Sequence, residues 1–288
     1  MKKLLDQIAR RAAFHLFSVT KSLGIPTPAV VAKHVHYKGI VNVTVGQGQN
    51  FRIQSYGHAI ENRLYWYGKF GHEPESFLPW LKAASKAQVV LDIGSNTGLY
   101  SLGAGAKNPA AKIFAFEPLP RVANLTRKNA QLNPKFNIQV QQNAVCDQGG
   151  VVTLHDPGGD QPASASLKSD FLDCDQETIK VDGIRIDDFV SNQQLERVDL
   201  IKLDVEGVEE IALSGMQQTI QKFKPTLFIE VLDSRPELIA ELKKLVDWGY
   251  RVGDLHKDQI KKHDLDRAKS EDRNLLFTMD LETFPELA

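Results

Sequence analysis

Five strand-like segments punctuate the second two-thirds of the chain. Val89-Val90-Leu91-Asp92-Ile93 is the first, a run with no polar alternation until its acid. Such a run predicts a strand covered on both faces. Largely apolar runs return at residues 112–117, 198–204 and 226–231, and residues 138–145, with polar residues interleaved, read as a further strand. Helical patterns separate the runs, at residues 99–106, 120–132, 184–190, 209–223 and 236–248, and two further strands are expected at 250–255 and 274–279. Pro120 stands where a helix can open. Strand–helix alternation predicts an α/β fold with a mostly parallel sheet and helices on both faces.

The first third reads differently. Leu4, Leu5, Ile8, Ala12, Leu16 and Val19 recur at helical spacing, and Gly24 and Pro26 stop the pattern, so residues 1–24 are expected to form a helix. Either it packs on the body, or its basic polar face lies on a membrane surface. Residues 38–56 alternate around Gly46-Gln47-Gly48, a hairpin signal. Residues 61–70 are dense in aromatics, and Pro74 opens an amphipathic helix carrying Phe77, Trp80 and Leu81. The expected division is a helix and β-hairpin extension over residues 1–85 and an α/β domain over 86–288. Residues 156–178 are polar and irregular, as a lid would be.

Candidate chemistry concentrates after the first apolar strand, in Asp92-x-Gly94-x-x-x-Gly98 before a helix. Glycine serves where backbone approaches a ligand closely or takes positive φ. In open α/β sheets ligands bind at the carboxyl ends of strands, where strand order switches. A dinucleotide fold prefers GxGxxG; here the second glycine comes four residues on and an acid precedes the first. That acid suits a cationic ligand, such as the sulfonium and ammonium of S-adenosyl-L-methionine, whose carboxylate can use the loop's amides. Glu117 ends the next strand and is placed to hold ribose hydroxyls.

These segments resemble the motifs of FkbM-type methyltransferases. Residues 90–101 (VLDIGSNTGLYS) are similar to that family's first motif and residues 114–118 (FAFEP) to its second. Residues 199–209 (DLIKLDVEGVE) resemble its most distinctive block, residues 227–230 the strand that follows, and residues 61–70 the segment preceding the domain. The resemblance covers roughly residues 60 to 280. It implies a Rossmann-like class I methyltransferase sheet, S-adenosyl-L-methionine as donor, and O-methylation, often of sugars or polyketides. Carried over to this chain, Asp92, Gly94, Ser95, Asn96 and Gly98 would line the methionine end. Glu117 would hold the ribose, Asn143 and Ala144 would sit near the adenine, and Asp204 would lie near sulfonium and acceptor.

A hydroxyl acceptor must lose its proton, and a carboxylate within hydrogen-bond reach can take it. Asp204, then Glu206, then Glu230 are the candidates, since all end strands at the expected rim. Such acids could also hold a divalent cation, but acids at strand ends are common and no metal is expected. Glu209 reads as a helix-opening acid. His34 and His36 would share one face of a strand, without an evident third ligand. His58 and His72 flank the aromatic segment and could line the acceptor cleft, and the aromatics at 65–67 either stack on a sugar face or fasten the extension to the core.

Composition narrows the field. A net charge of -1 argues against nucleic acid as a partner. Cys146 and Cys174 form no metal-type pair. No run approaches the ~20 apolar residues of a membrane span, and the N-terminal segment makes a poor signal peptide, so a cytoplasmic enzyme is expected. The expected activity is O-methylation of a hydroxyl on a small molecule or glycan. The alternatives are a catalytically silent binding protein on the same fold, or an N-methyltransferase acting on protein or RNA. No Asn-Pro-Pro-Tyr-type tetrapeptide follows the fourth strand, which lowers the last.

Overall fold

A computed structural model describes residues 2–156, 158, 166–167, 177–233, 235–256, 259–265 and 273–288. The chain forms two units, residues 1–74 and 75–288. The helix opened by Pro74 therefore goes almost wholly with the second.

In the first unit, α1 (Lys2–Ser22) and α2 (Ala29–His34) precede a hairpin of β1 (Gly39–Gly46) and β2 (Gln49–Ser55), followed by α3 (Ala59–Tyr67). The hairpin buries alternate residues, Val41, Val43, Phe51 and Ile53, as a period of two dictates. Val31, Ala32, Val35 and Trp66 form a small core, with Ala13, Phe14 and Phe17 of α1 packed against it. His34 ends α2 rather than lying in a strand, and the His36 ring bonds the Lys33 and Gly57 carbonyls, so the expected shared strand face does not form.

The second unit opens with α4 (Pro74–Ala84) and is built on an eight-stranded sheet. Its strands are β3 (Val89–Ile93), β4 (Lys112–Phe116), β5 (Asn137–Gln141), β9 (Leu200–Leu203), β10 (Thr226–Val231), β11 (Arg251–His256), β12 (Gln259–Lys262) and β13 (Arg273–Thr278). The order is β12-β11-β13-β10-β9-β3-β4-β5. The five strands from β10 to β5 pair in parallel, and β13 enters antiparallel between β10 and β11. All of β3 and β9 is buried, as their unbroken apolar runs require. The chain leaves β3 towards β4 and β5, then returns to place β9 on β3's other side. Strand order thus switches between β3 and β9, where a crevice at the carboxyl ends is expected. The helices between these strands are α5 (Leu99–Lys107), α6 (Pro120–Gln131), α7 (Ile186–Asn192), α8 (Glu209–Ser214), α9 (Gln217–Phe223) and α10 (Pro236–Asp247).

Two expected elements are divided. Residues 138–145 do not form one strand. Asn137–Gln141 extends the large sheet, whereas β6 (Ala144–Val145) joins β7 (Gly150–Asp156) and β8 (Glu177–Ile184) in a separate three-stranded sheet. Leu119, Val122, Ala144, Leu154 and Val181 form the core beneath that sheet. The helix expected over 209–223 breaks at Gly215, where a Cβ would overlap the Cys146 carbonyl. Asp187 of α7 then caps α9 from a distance, accepting from the Thr219 amide at 2.8 Å and its hydroxyl at 2.7 Å. Most of the expected lid at 156–178 lies outside the described residues.

Candidate active site

The loop after β3 turns sharply, with Gly94, Asn96 and Gly98 all at positive φ. Its amides are largely spoken for. Those of Gly94 and Ser95 donate to the Phe116 carbonyl at 3.0 and 2.9 Å, and that of Gly98 to Ser95 at 2.8 Å. The Asn96 amide donates to Glu117 Oε2 at 3.0 Å, and the Leu119 amide to Oε1 at 3.0 Å. The expectation that these amides await a ligand carboxylate is corrected: they tie the loop to the end of β4. From α6, Thr126 Oγ1 donates to the Asn96 carbonyl and Asn129 Nδ2 to that of Thr97 at 2.8 Å. Neither bracing residue stood out in the sequence. The available signal was two polar positions, three apart, on the buried face of a helix.

A cleft with about 650 Å³ of free space, part of it open to solvent, lies over the strand ends. Gly94, Asn96, Glu117, Asn143, Ala144, Asp204 and Glu206 all line it. Leu119, Leu154, Leu167 and Val208 supply apolar wall. Asp92, Ser95, Gly98 and Glu230, named from the sequence, are not on the wall. Asp92 is buried, and its Oδ2 accepts from the Ser101 amide at 2.8 Å and hydroxyl at 2.6 Å. Its carboxylate thus fastens the first turn of α5. Glu230 lies on β10 opposite Asn274 of β13.

Burial raises the carboxyl of Glu117 to about 8, against the two amides and Arg121, which favour its charge. Burial likewise lifts Asp92 to about 6, opposed by Ser101 and by the charge of Lys202. Lys202 is itself 1% exposed, placed beside Asp92 by the β3–β9 register. Its ammonium donates to Asp204 Oδ2 at 3.3 Å and sits over the Tyr100 ring. Among the described residues no group of three or more His, Cys, Asp or Glu is placed to share a metal ion.

After β9 the chain turns through Glu206 and Gly207, both at positive φ. Glu209, fully buried, accepts from the Gly207 amide at 2.9 Å. Arg235 donates to the Gly207 carbonyl at 2.6 Å and to Glu210 Oε1 at 2.8 Å, and Glu209 Oε2 lies 3.6 Å from it. Glu209 is therefore more than a helix-opening acid: with Arg235 it fixes the turn that presents Asp204 and Glu206. Ser166 Oγ holds the same turn, donating to the Glu206 carbonyl at 2.8 Å.

The aromatics of residues 65–67 are occupied within the first unit. Tyr65 stacks on Tyr37 at 4.1 Å between centroids, and Trp66 Nε1 donates to the Val35 carbonyl at 2.9 Å.

A mostly parallel sheet with β12 and β13 reversed, a glycine loop after β3 and a carboxylate closing β4 define a Rossmann-like fold of the methyltransferase class. The model of the methyltransferase FkbM domain matches residues 92–252, and the chain belongs to that family of S-adenosylmethionine-dependent methyltransferases. Its relatives include the 2-O-methyltransferase NoeI of Sinorhizobium fredii, 32% identical over 52% of this chain and 65% of that protein. The hexuronic acid methyltransferase AglP of Haloferax volcanii is 24% identical over 49% of this chain and 55% of that protein. The chain thus spans between about half and two-thirds of these relatives. A crystal structure of a methyltransferase FkbM from Methylobacillus flagellatus is similar at 20% identity and TM-score 0.44, over 66% of this chain and 43% of that one. No helix among the described residues is long and apolar enough to cross a membrane.

Proposed function

We propose that the chain transfers the methyl group of S-adenosyl-L-methionine to a hydroxyl of a sugar, glycan or related natural product. One observation carries the cofactor's place. Asn96 Oδ1, in the glycine loop on the wall of the cleft that Glu117 also lines, is buried without a hydrogen-bond partner. Buried polar atoms ordinarily have partners, and a polar nucleoside would supply one.

On this reading Gly94 and Asn96 receive the methionine end, Glu117 accepts from the ribose hydroxyls, and Asn143 and Ala144 flank the adenine beside Leu119 and Leu154. The cofactor, when bound, supplies a methyl already activated by its sulfonium. The protein's share is positioning and exclusion of water. Asp204 faces the cleft with one oxygen held by Lys202. It orients the acceptor hydroxyl and takes its proton, with Glu206 as the second acid at the rim. Asp92, Ser95 and Gly98 support the loop from behind, and Glu230 supports the end of β10. The names of NoeI and AglP, one an O-methyltransferase and the other acting on a hexuronic acid, support a sugar hydroxyl as acceptor.

The test is calorimetric titration with S-adenosyl-L-methionine, then turnover on a panel of hydroxylated glycans. Glu117→Ala is expected to weaken cofactor binding at least about tenfold. Unchanged affinity would remove the cofactor assignment. Binding without turnover on any hydroxyl would favour a silent binding protein.

A further inference from the structure

The charge of the chain is unevenly divided. Residues 1–74 hold ten Lys or Arg against three Asp or Glu, a net +7 in a chain that totals -1. No acid occurs between Asp6 and Glu61.

Exposed apolar side chains are just as uneven. Of the ten large ones exposed among the described residues, eight lie in this unit: Leu16, Val19, Leu23, Ile25, Val30, Ile40, Tyr56 and Phe70. The first three belong together. Ala13, Phe14 and Phe17 turn α1's inner face to the unit's core. Leu16 and Val19, three apart, lie on the opposite side of the helix and Leu23 follows just past its end; the three are 61%, 58% and 71% exposed. A helix packed on one side usually turns polar residues to water on the other. This one turns leucine and valine. Ile25 and Val30 continue the apolar surface past the helix end, and Lys33 and Lys38 stand exposed beyond them.

We propose that this unit docks on an anionic lipid surface, with Leu16, Val19 and Leu23 inserted at the headgroup level and the exposed Lys33 and Lys38 over the lipid phosphates. An exposed apolar stripe on a basic segment is the pattern of helices that lie in the membrane interface, and cations are drawn to anionic leaflets. Charge decides among the occupants. A second copy would set one unit of +7 against another, and nucleic acid would leave the apolar stripe uncovered. The inference does not rest on the assignment of the methyltransferase site, which lies in the other unit.

The test is sedimentation of the full chain with vesicles of phosphatidylcholine alone and of phosphatidylcholine mixed with phosphatidylglycerol. Wild type is expected to pellet with the mixed vesicles, weakly with the neutral ones, and less at high salt. Leu16→Glu with Leu23→Glu should lower the partition coefficient at least about tenfold. Lys33→Glu with Lys38→Glu, far from the stripe's packing, should lower it severalfold while leaving cofactor binding unchanged. The proposal falls if wild type stays in the supernatant with both vesicles, or if both double variants bind as wild type does. It falls equally if wild type is a dimer that the leucine variant dissolves, or if RNA is retained and vesicles are not.

Discussion

The carbonyl oxygen of Asp204 occupies the place where a side chain at residue 94 would begin, so a Cβ on Gly94 would overlap it. The glycine that opens the loop after β3 is thus demanded by the neighbouring strand end. Gly94→Ala is expected to cost more than about 3 kcal/mol, as steric overlap adds to backbone strain. Gly150, also at positive φ but with open space around it, is the control. Gly150→Ala should cost only about 1–2 kcal/mol. Denaturant unfolding of both variants measures the difference.

Glu117 makes the ligand-free chain sensitive to alkali. Its carboxyl is raised to about 8 by burial, so in the folded chain it resists ionisation that the unfolded chain accepts. Its contribution to stability is complete below the ordinary glutamate range and is lost as pH rises towards 8. Thermal unfolding should show stability falling between about pH 5 and 8.5, and Glu117→Gln should flatten that fall by more than about 1.4 kcal/mol, one pKa unit's worth. Equal slopes in both proteins would contradict the burial argument.

The two ends of the Lys202–Asp204 pair are unequally wet: the lysine side chain is 1% exposed and the aspartate 24%. Removing the aspartate takes away one counter-charge of a buried ammonium that keeps Asp92 and the Tyr100 ring beside it, whereas removing the lysine leaves a carboxylate that reaches solvent. Asp204→Asn should therefore destabilise by about 1–3 kcal/mol and Lys202→Met by less than about 2 kcal/mol. Both should lower kcat at least about a hundredfold, with cofactor affinity in Lys202→Met within a few-fold of wild type. Chemical unfolding, calorimetry and turnover on an accepted substrate separate these effects.

Arg235 reaches the Gly207 carbonyl, Glu210 and Asp233 with different nitrogens of one guanidinium. Lysine offers a single point charge and cannot span the three. Arg235→Lys and Arg235→Ala should both loosen the Asp204–Gly207 turn, lowering kcat about tenfold or more, with cofactor affinity within a few-fold of wild type. Full rescue by lysine would show that charge alone suffices.

The strands of the large sheet from β3 to β10 were legible because burial on both faces leaves little room for polar residues. The glycine loop and Glu117 were legible because chemistry fixes their spacing. What stayed hidden depends on partners distant in sequence. Gln142 and Asn143 continue a segment already interleaved with glutamines, so nothing announces that Ala144 belongs to another sheet. Gly215 breaks a helix because Cys146 crosses it, and Asp187 caps α9 from about thirty residues away. Asp92 reads as a ligand contact, yet Ser101 one helical turn into α5 claims it. Edge strand β12 has too few apolar residues to signal itself.

The β3–β9 junction also governs when the cleft can come into being. Val90 pairs in register with Leu200, and Ile93 with Leu203, so two halves of one binding wall are made more than a hundred residues apart. Closing so long a loop is entropically expensive and slows folding. Neither half can assemble the cleft alone. In refolding experiments the ability to bind S-adenosyl-L-methionine should accordingly return together with the last cooperative phase, and a nascent chain that ends before β9 should have none.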